Sequence, residues 1–229
     1  MRKTFSCLFY GLLALCLALS AQANPAEFLP GDFIFIPLRG RAGGVIRGTT
    51  ESAVSHCGVV NRLPDGTLTV IHSLGRVKEE TLEKFLKWGQ GKYAINRFKT
   101  LNQRGRELVV EGAKKFLGWP YDKQYLVTNR SIYCSELLYR ALSDGPGIQP
   151  VPLAPMDFTV AGDEGWEFWE KFFQGEVPQG EPGIAPSDYL ESDLFELIFS
   201  NLDQEPDRST EDEEDPLLQE MHTERSSLN

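Results

Sequence analysis

Two runs of β-type residues separated by turn chemistry constrain this 229-residue chain more than any other feature of it. Val54-Ser55-His56-Cys57-Gly58-Val59-Val60 and Thr67-Leu68-Thr69-Val70-Ile71-His72 are rich in branched side chains, and Leu63-Pro64-Asp65-Gly66 between them is turn material. Side chains alternate between the faces of a strand, so His56 shares a face with Gly58 and Val60 while Cys57 and Val59 look the other way. With the loop taken as residues 62–66, Asn61 pairs with Thr67 and His56 stands directly opposite His72, their Cβ atoms about 4.5–5.5 Å apart. Any loop of odd length keeps both histidines on one face; an even one separates them. A single strand histidine is most simply a hydrogen-bonded core residue. Two that can face each other, in a chain whose third histidine is the distant His222, point to chemistry. Zinc is the rival use, but no third ligand lies at metal-site spacing, and no metal or other cofactor is expected.

A second stretch supplies what such a pair could serve. Leu137, Leu138, Ala141 and Leu142 recur at helical spacing after Ile132-Tyr133-Cys134-Ser135-Glu136, so Cys134 falls in the first turn of a short helix that Gly145-Pro146 stops. The first turn offers unpaired N–H groups and the positive end of the helix dipole, which favour a thiolate over a thiol. Read alone, Cys134 is a small core residue. Read with His56 and His72 it is a nucleophile.

Residues 1–23 read as a leader. Arg2 and Lys3 precede an apolar run from Leu8 to Leu19, and Ala21-Gln22-Ala23 has the small-x-small pattern of a cleavage site, so a periplasmic or secreted protein starting at Asn24 is expected. Cys7 and Cys16 leave with it. Cys57 and Cys134 then stand in an oxidising compartment, either as one disulfide or as two thiols with separate jobs. Because Cys57 leaves its strand on the face away from His56, a Cys134 that serves His56 is expected not to reach the Cα separation of about 4.4–6.8 Å that a disulfide with Cys57 requires. Net charge is −10, of which residues 202–229 carry −8. No basic cluster suggests nucleic acid. The C-terminal stretch, centred on Glu211-Asp212-Glu213-Glu214-Asp215, is expected to be a disordered, solvated tail behind a domain over residues 24–201.

Elsewhere, Phe33-Ile34-Phe35-Ile36 after Leu29-Pro30-Gly31-Asp32 reads as a buried strand, and residues 40–48 as a Gly- and Arg-rich loop. Residues 77–88 read as a surface helix with Leu82, Phe85 and Leu86 inward, 93–98 as a strand and 106–117 as a helix. Trp119-Pro120-Tyr121-Asp122 and Tyr125 approach Cys134 in sequence, and Tyr121 and Tyr133 are the candidate substrate-binding side chains. Trp166, Trp169 and Phe173 share one stripe of a helix, packed on the core or forming an aromatic lid. Residues 189–199 read as a terminal helix.

Ser55-His56-Cys57-Gly58-Val59-Val60, Gly118-Trp119-Pro120-Tyr121-Asp122 and above all Tyr133-Cys134-Ser135-Glu136-Leu137 resemble the YaeF/YiiX branch of circularly permuted, NlpC-type papain-like cysteine hydrolases, and Pro186-Ser187-Asp188-Tyr189-Leu190 looks familial too. The resemblance spans roughly Leu29 to Leu142. It implies an α+β fold with an antiparallel sheet packed on the cysteine-bearing helix. It also implies Cys134 as nucleophile, His56 as base and the polar residue of the next strand as orienter. That position often carries glutamate in relatives; here it is His72. The expected activity is hydrolysis of an amide or ester through an acyl-enzyme, on a cell-wall peptide, a lipid-linked acyl group or a small amide, with membrane or cell-wall contact left open. A non-catalytic lipid- or acyl-binding module on the same fold is the alternative.

Overall fold

The computed structural model describes residues 28–148, 151–202 and Leu217; the expected leader and the rest of the acidic C-terminal stretch lie outside them. In chain order come β1 (Phe33–Ile36), α1 (Arg41–Thr49), β2 (His56–Arg62), β3 (Leu68–Leu74), β4 (Arg76–Thr81), α2 (Leu82–Trp88), β5 (Ala94–Phe98) and α3 (Gln103–Lys114). After them follow α4 (Cys134–Asp144), the short β6 (Ala154–Pro155), α5 (Gly162–Phe172), the short β7 (Pro182–Gly183), α6 (Pro186–Leu190) and β8 (Phe195–Ser200).

β1 is apolar and buried at every position, as suits a strand covered on both faces. It lies inside a six-stranded antiparallel sheet in the order β4-β3-β2-β1-β5-β8. Just before it, buried Asp32 accepts two hydrogen bonds from Arg97 of β5, at 2.7 and 2.8 Å, and one from the Leu29 N–H at 2.8 Å. This bidentate pair fixes the entry to the central strand on its neighbour. α3 and α4 pack on each other, and α4 lies against β2 and β3. Leu137, Leu138, Ala141 and Leu142 are fully buried there, the stripe that the helical spacing predicts.

Four expectations are corrected. Residues 77–81 are strand rather than helix: β4 pairs with β3 from Thr69↔Thr81 to Leu74↔Arg76, and Thr81 caps α2 by accepting the Lys84 N–H. Its two buried residues, Val77 and Glu80, lie on opposite faces of the strand, and their spacing of three is also that of one face of a helix. Residues 41–49 form helix α1 rather than a loop, because Gly43 lets the helix sit against Leu38, whose carbonyl oxygen would lie 1.8 Å from an added Cβ. Residues 189–199 split into α6 and the edge strand β8, which pairs with β5 over Phe195 to Ser200. Finally, Leu217 is buried in the core at 2 % exposure, so the solvated-tail expectation fails at that residue.

The β2–β3 register is shifted by two residues from the expected one. Arg62 pairs with Leu68, and Gly58, not His56, stands opposite His72. The loop is still odd, so the two histidines share a face, but they meet on the diagonal. Gly58 makes that diagonal passable: a Cβ there would lie 2.5 Å from Val70 Cγ1, 2.9 Å from the Ile71 oxygen and 3.0 Å from His72 Cβ.

Two outcomes are expected. Gly58→Ala overpacks this point and should cost about 1–3 kcal/mol in urea denaturation while pushing His72 off His56. Deleting residues 203–229 should lower the melting temperature by a few degrees, because it exposes the site that Leu217 fills; an unchanged melting temperature would show that this contact contributes nothing.

Candidate active site

Cys134 opens α4. Tyr133, the N-cap, is extended (φ −91°, ψ 170°) and its side chain makes no capping bond, so the first-turn amides keep their field for whatever sits at the helix mouth. The Cys134 thiol is held well below its ordinary pKa, first by the S–H of Cys57 against the opposing push of burial, then by His56 and by the Cys57 backbone N–H. Cys57, at 0 % exposure, is pushed up by burial and by Cys134. Both cysteines are free thiols. Cys134 contacts both His56 and Cys57 with no disulfide between the two cysteines. Pleat alternation separates side chains above and below a sheet, but Cys134 meets β2 at its first two residues, where a helix end reaches both sides of the strand.

His56 Nε2 lies 2.9 Å from His72 Nδ1, with the rings edge-to-face and Phe85 of α2 against both. Both histidines are buried. Burial pushes His72 down to about 4, against the raising pull of Glu80, so it is neutral in neutral solution. Its other nitrogen, Nε2, points at Glu80 Oε2 of β4 at 3.6 Å. Glu80 also accepts from Lys84 Nζ at 2.8 Å and Trp88 Nε1 at 3.3 Å, and Lys78 Nζ stands 3.4 Å away. Burial alone would raise its carboxyl; His72 and Lys84 bring it well below the usual carboxylate range.

In front of Cys134 lies a cleft of about 270 Å³. Tyr121, Tyr125 and Tyr133 wall one part and Met156, Phe158, Trp169 and Ile184 another. Burial raises the pKa of all three tyrosines, which keeps them as neutral hydroxyls. The Tyr121 and Tyr125 hydroxyls are 3.3 Å apart, whereas Tyr133 accepts the Ile184 N–H at 3.1 Å. Ser135 donates to the Ile184 oxygen at 2.7 Å, and Tyr189 donates to the Ser135 oxygen at 3.2 Å. These three bonds hold the wall formed by residues 183–189 on the start of α4. Trp169 and Phe173 of the aromatic segment are buried, and Trp169 donates to Thr49 at 2.8 Å, so this helix is a fixed wall rather than an exposed ridge.

The structure thus brings all the expected residues together: Cys134, Tyr121 and Tyr133 on the cleft, His56 and His72 in line behind it. Sequence reasoning missed Cys57 as a partner of Cys134, and Glu80, which it assigned to a helix. With residues 76–81 read as a strand, Glu80 would have been found on the face of His72.

The chain is 29% identical over 143 residues to the uncharacterized protein YiiX of Escherichia coli (strain K12), covering 60% of this chain and 69% of that protein. The crystal structure of metalloprotein yiiX from Escherichia coli O157:H7 shares the fold, with a TM-score of 0.69 at 21% identity over 76% of this chain and 98% of that one. Among the described residues here, no three His, Cys, Asp or Glu side chains converge so as to hold a metal ion. The profile of the permuted papain-like amidase enzymes, YaeF/YiiX, C92 family, matches residues 27–199, and this chain belongs to that family.

Proposed function

We propose that the protein is an exported cysteine hydrolase of NlpC-type kinship that opens an amide, or an ester, through an acyl-enzyme on Cys134. The observation that carries this reading is the contact of Cys134 with His56, itself 2.9 Å from His72, at the inner end of an apolar cleft. His56 takes the Cys134 proton and the thiolate attacks the carbonyl carbon. The backbone N–H of Cys134, at the positive end of α4, faces the developing oxyanion. Collapse expels the amine or alcohol, which His56 protonates. A water that gives its proton to His56 then hydrolyses the thioester and frees the acid. Export rests on the leader expected over residues 1–23.

The cleft narrows the substrate class. Tyr125, Met156, Phe158, Trp169 and Ile184 offer apolar surface to an acyl group. The charged residues lining it, Glu51, Asp157 and Asp188, are all acidic, and no Lys or Arg among the described residues joins them. A neutral or cationic substrate with an apolar acyl part fits; an anionic one meets like charge. Peptides and acyl lipids of the cell envelope both fall within this class, and the work is done at that surface rather than on nucleic acid.

N-acyl amides of a cationic amine should therefore be cleaved at least about tenfold better in kcat/KM than the same acyl group on an anionic amine. Equal rates on both would remove the electrostatic argument. His56→Ala should lower kcat by several orders of magnitude and His72→Ala by less, because His56 moves a proton in both half-reactions while His72 orients it. His72→Glu should keep more activity than His72→Ala.

Alkylation separates catalysis from binding. The rate follows the thiolate fraction, which rises with pH through the depressed Cys134 pKa, so carboxymethylation at Cys134 should reach its plateau well below the roughly pH 8.5 of an ordinary thiol, with Cys57 unlabelled. Ordinary thiol behaviour at Cys134, with turnover surviving in Cys134→Ala, would leave the acyl-binding module as the reading.

A further inference from the structure

Three side chains step in a straight diagonal across β2, β3 and β4. Gly58 pairs with His72 and His72 with Lys78; Val60 pairs with Val70 and Val70 with Glu80. His56, His72 and Glu80 therefore lie on one face, each two residues further along than the last. Diagonal neighbours on an antiparallel face are within reach of rings and long side chains. The contacts realise that line, at 2.9 Å between the histidines and 3.6 Å between His72 Nε2 and Glu80 Oε2.

We propose that Glu80 is a positioning residue that acts through His72 to set which nitrogen of His56 is free to take the Cys134 proton. This rests on the hydrolase reading above.

The argument is one of proton accounting. A neutral imidazole has one N–H and one lone pair, and the hydrogen bond at one nitrogen decides the role of the other. His72 Nε2 is buried and has no hydrogen-bond partner within 3.5 Å; the Glu80 carboxylate, an acceptor only, faces it at 3.6 Å. The His72 proton therefore belongs on Nε2. His72 Nδ1 is then a lone pair, and His56 Nε2 must be the N–H that points at it. The ring nitrogen of His56 left for Cys134 is Nδ1, in its basic form. In the reacting step the S–H bond of Cys134 breaks and an N–H bond forms at His56 Nδ1, giving thiolate and imidazolium. Neither His72 nor Glu80 gains or loses a proton. Were the His72 proton on Nδ1, His56 Nε2 would become the acceptor and Nδ1 would already carry the hydrogen, which leaves no base beside the thiol.

The surroundings of Glu80 keep its carboxylate aimed. Lys84 and Trp88 from α2 and Lys78 from its own strand provide donors, while His56 and Phe85 complete the shell of His72. The two lysines oppose the charge of Glu80, so its role is directional more than one of attracting the imidazolium.

Glu80→Gln tests this. The amide oxygen is drawn to the Oε1 position by Lys84 and Lys78, which leaves the NH2 at the Oε2 position, toward His72 Nε2, and imposes the wrong tautomer. The variant should lower kcat about ten- to a hundredfold, with KM changed by less than about twofold. In a His72→Ala or His72→Glu background, where His72 can no longer transmit the tautomer, the same substitution should change kcat by less than about twofold. A second readout needs no turnover: 15N NMR of the imidazoles should place the His72 proton on Nε2 in the wild type and on Nδ1 in Glu80→Gln. An equal loss in all backgrounds, no loss in the wild-type background, or a wild-type His72 proton on Nδ1 would overturn the proposal. If Cys134 alkylates like an ordinary thiol and nothing is turned over, the hydrolase reading fails, and Glu80 has no catalytic proton to position whatever tautomer the NMR shows.

Discussion

The register between β2 and β3 is the constraint on which the site depends. It places a glycine, not a side chain, opposite His72, and the empty volume lets two imidazoles close to 2.9 Å on the diagonal. A slip by one residue would turn His56 to the other face. A side chain at Gly58 would separate the rings even in register. The helix that begins at Cys134 is seated on the same two strands, so one strand pair fixes the distances among thiol, first histidine and second histidine.

Much of this was legible in the sequence, and the limits have physical causes. Face parity was readable because a strand repeats every two residues, so an odd loop of any length gives the same answer; the pairing itself was not, because turn chemistry does not distinguish a five-residue loop at 62–66 from one at 63–67. The helix start at Cys134 was readable from the apolar stripe after it. Residues 77–81 were not, because Val77 and Glu80, buried on opposite faces of β4, are three apart and so match one face of a helix, and β4 exists only because β3 has an edge to fill. The same holds for β8, created by the free edge of β5. Gly43 and Gly44 argued against α1 by propensity; close packing on Leu38 decided otherwise. Contact between Cys57 and Cys134 was hidden because alternation along a strand says nothing about what approaches its end.

Glu80 shows what such an error conceals. A residue assigned to the wrong element is assigned to the wrong neighbours, and a carboxylate that faces His72 fell within an expected surface helix. On the face of His56 the next strand supplies a histidine and the strand beyond it a glutamate, so the second imidazole spans the distance from His56 to the carboxylate.

The wall made by residues 183–189 has a consequence in time. Cys134, His56 and His72 belong to segments made early or midway along the chain, but Ile184, Ser187 and Asp188 close the cleft from near its end, held to α4 through Tyr133, Ser135 and Tyr189. A nascent chain that has emerged only as far as α5 carries Cys134 and both histidines yet lacks one wall of the cleft. The thiol and the imidazoles can thus be assembled before the cavity in front of them is closed, and the cleft takes shape only when residues 183–189 join the fold.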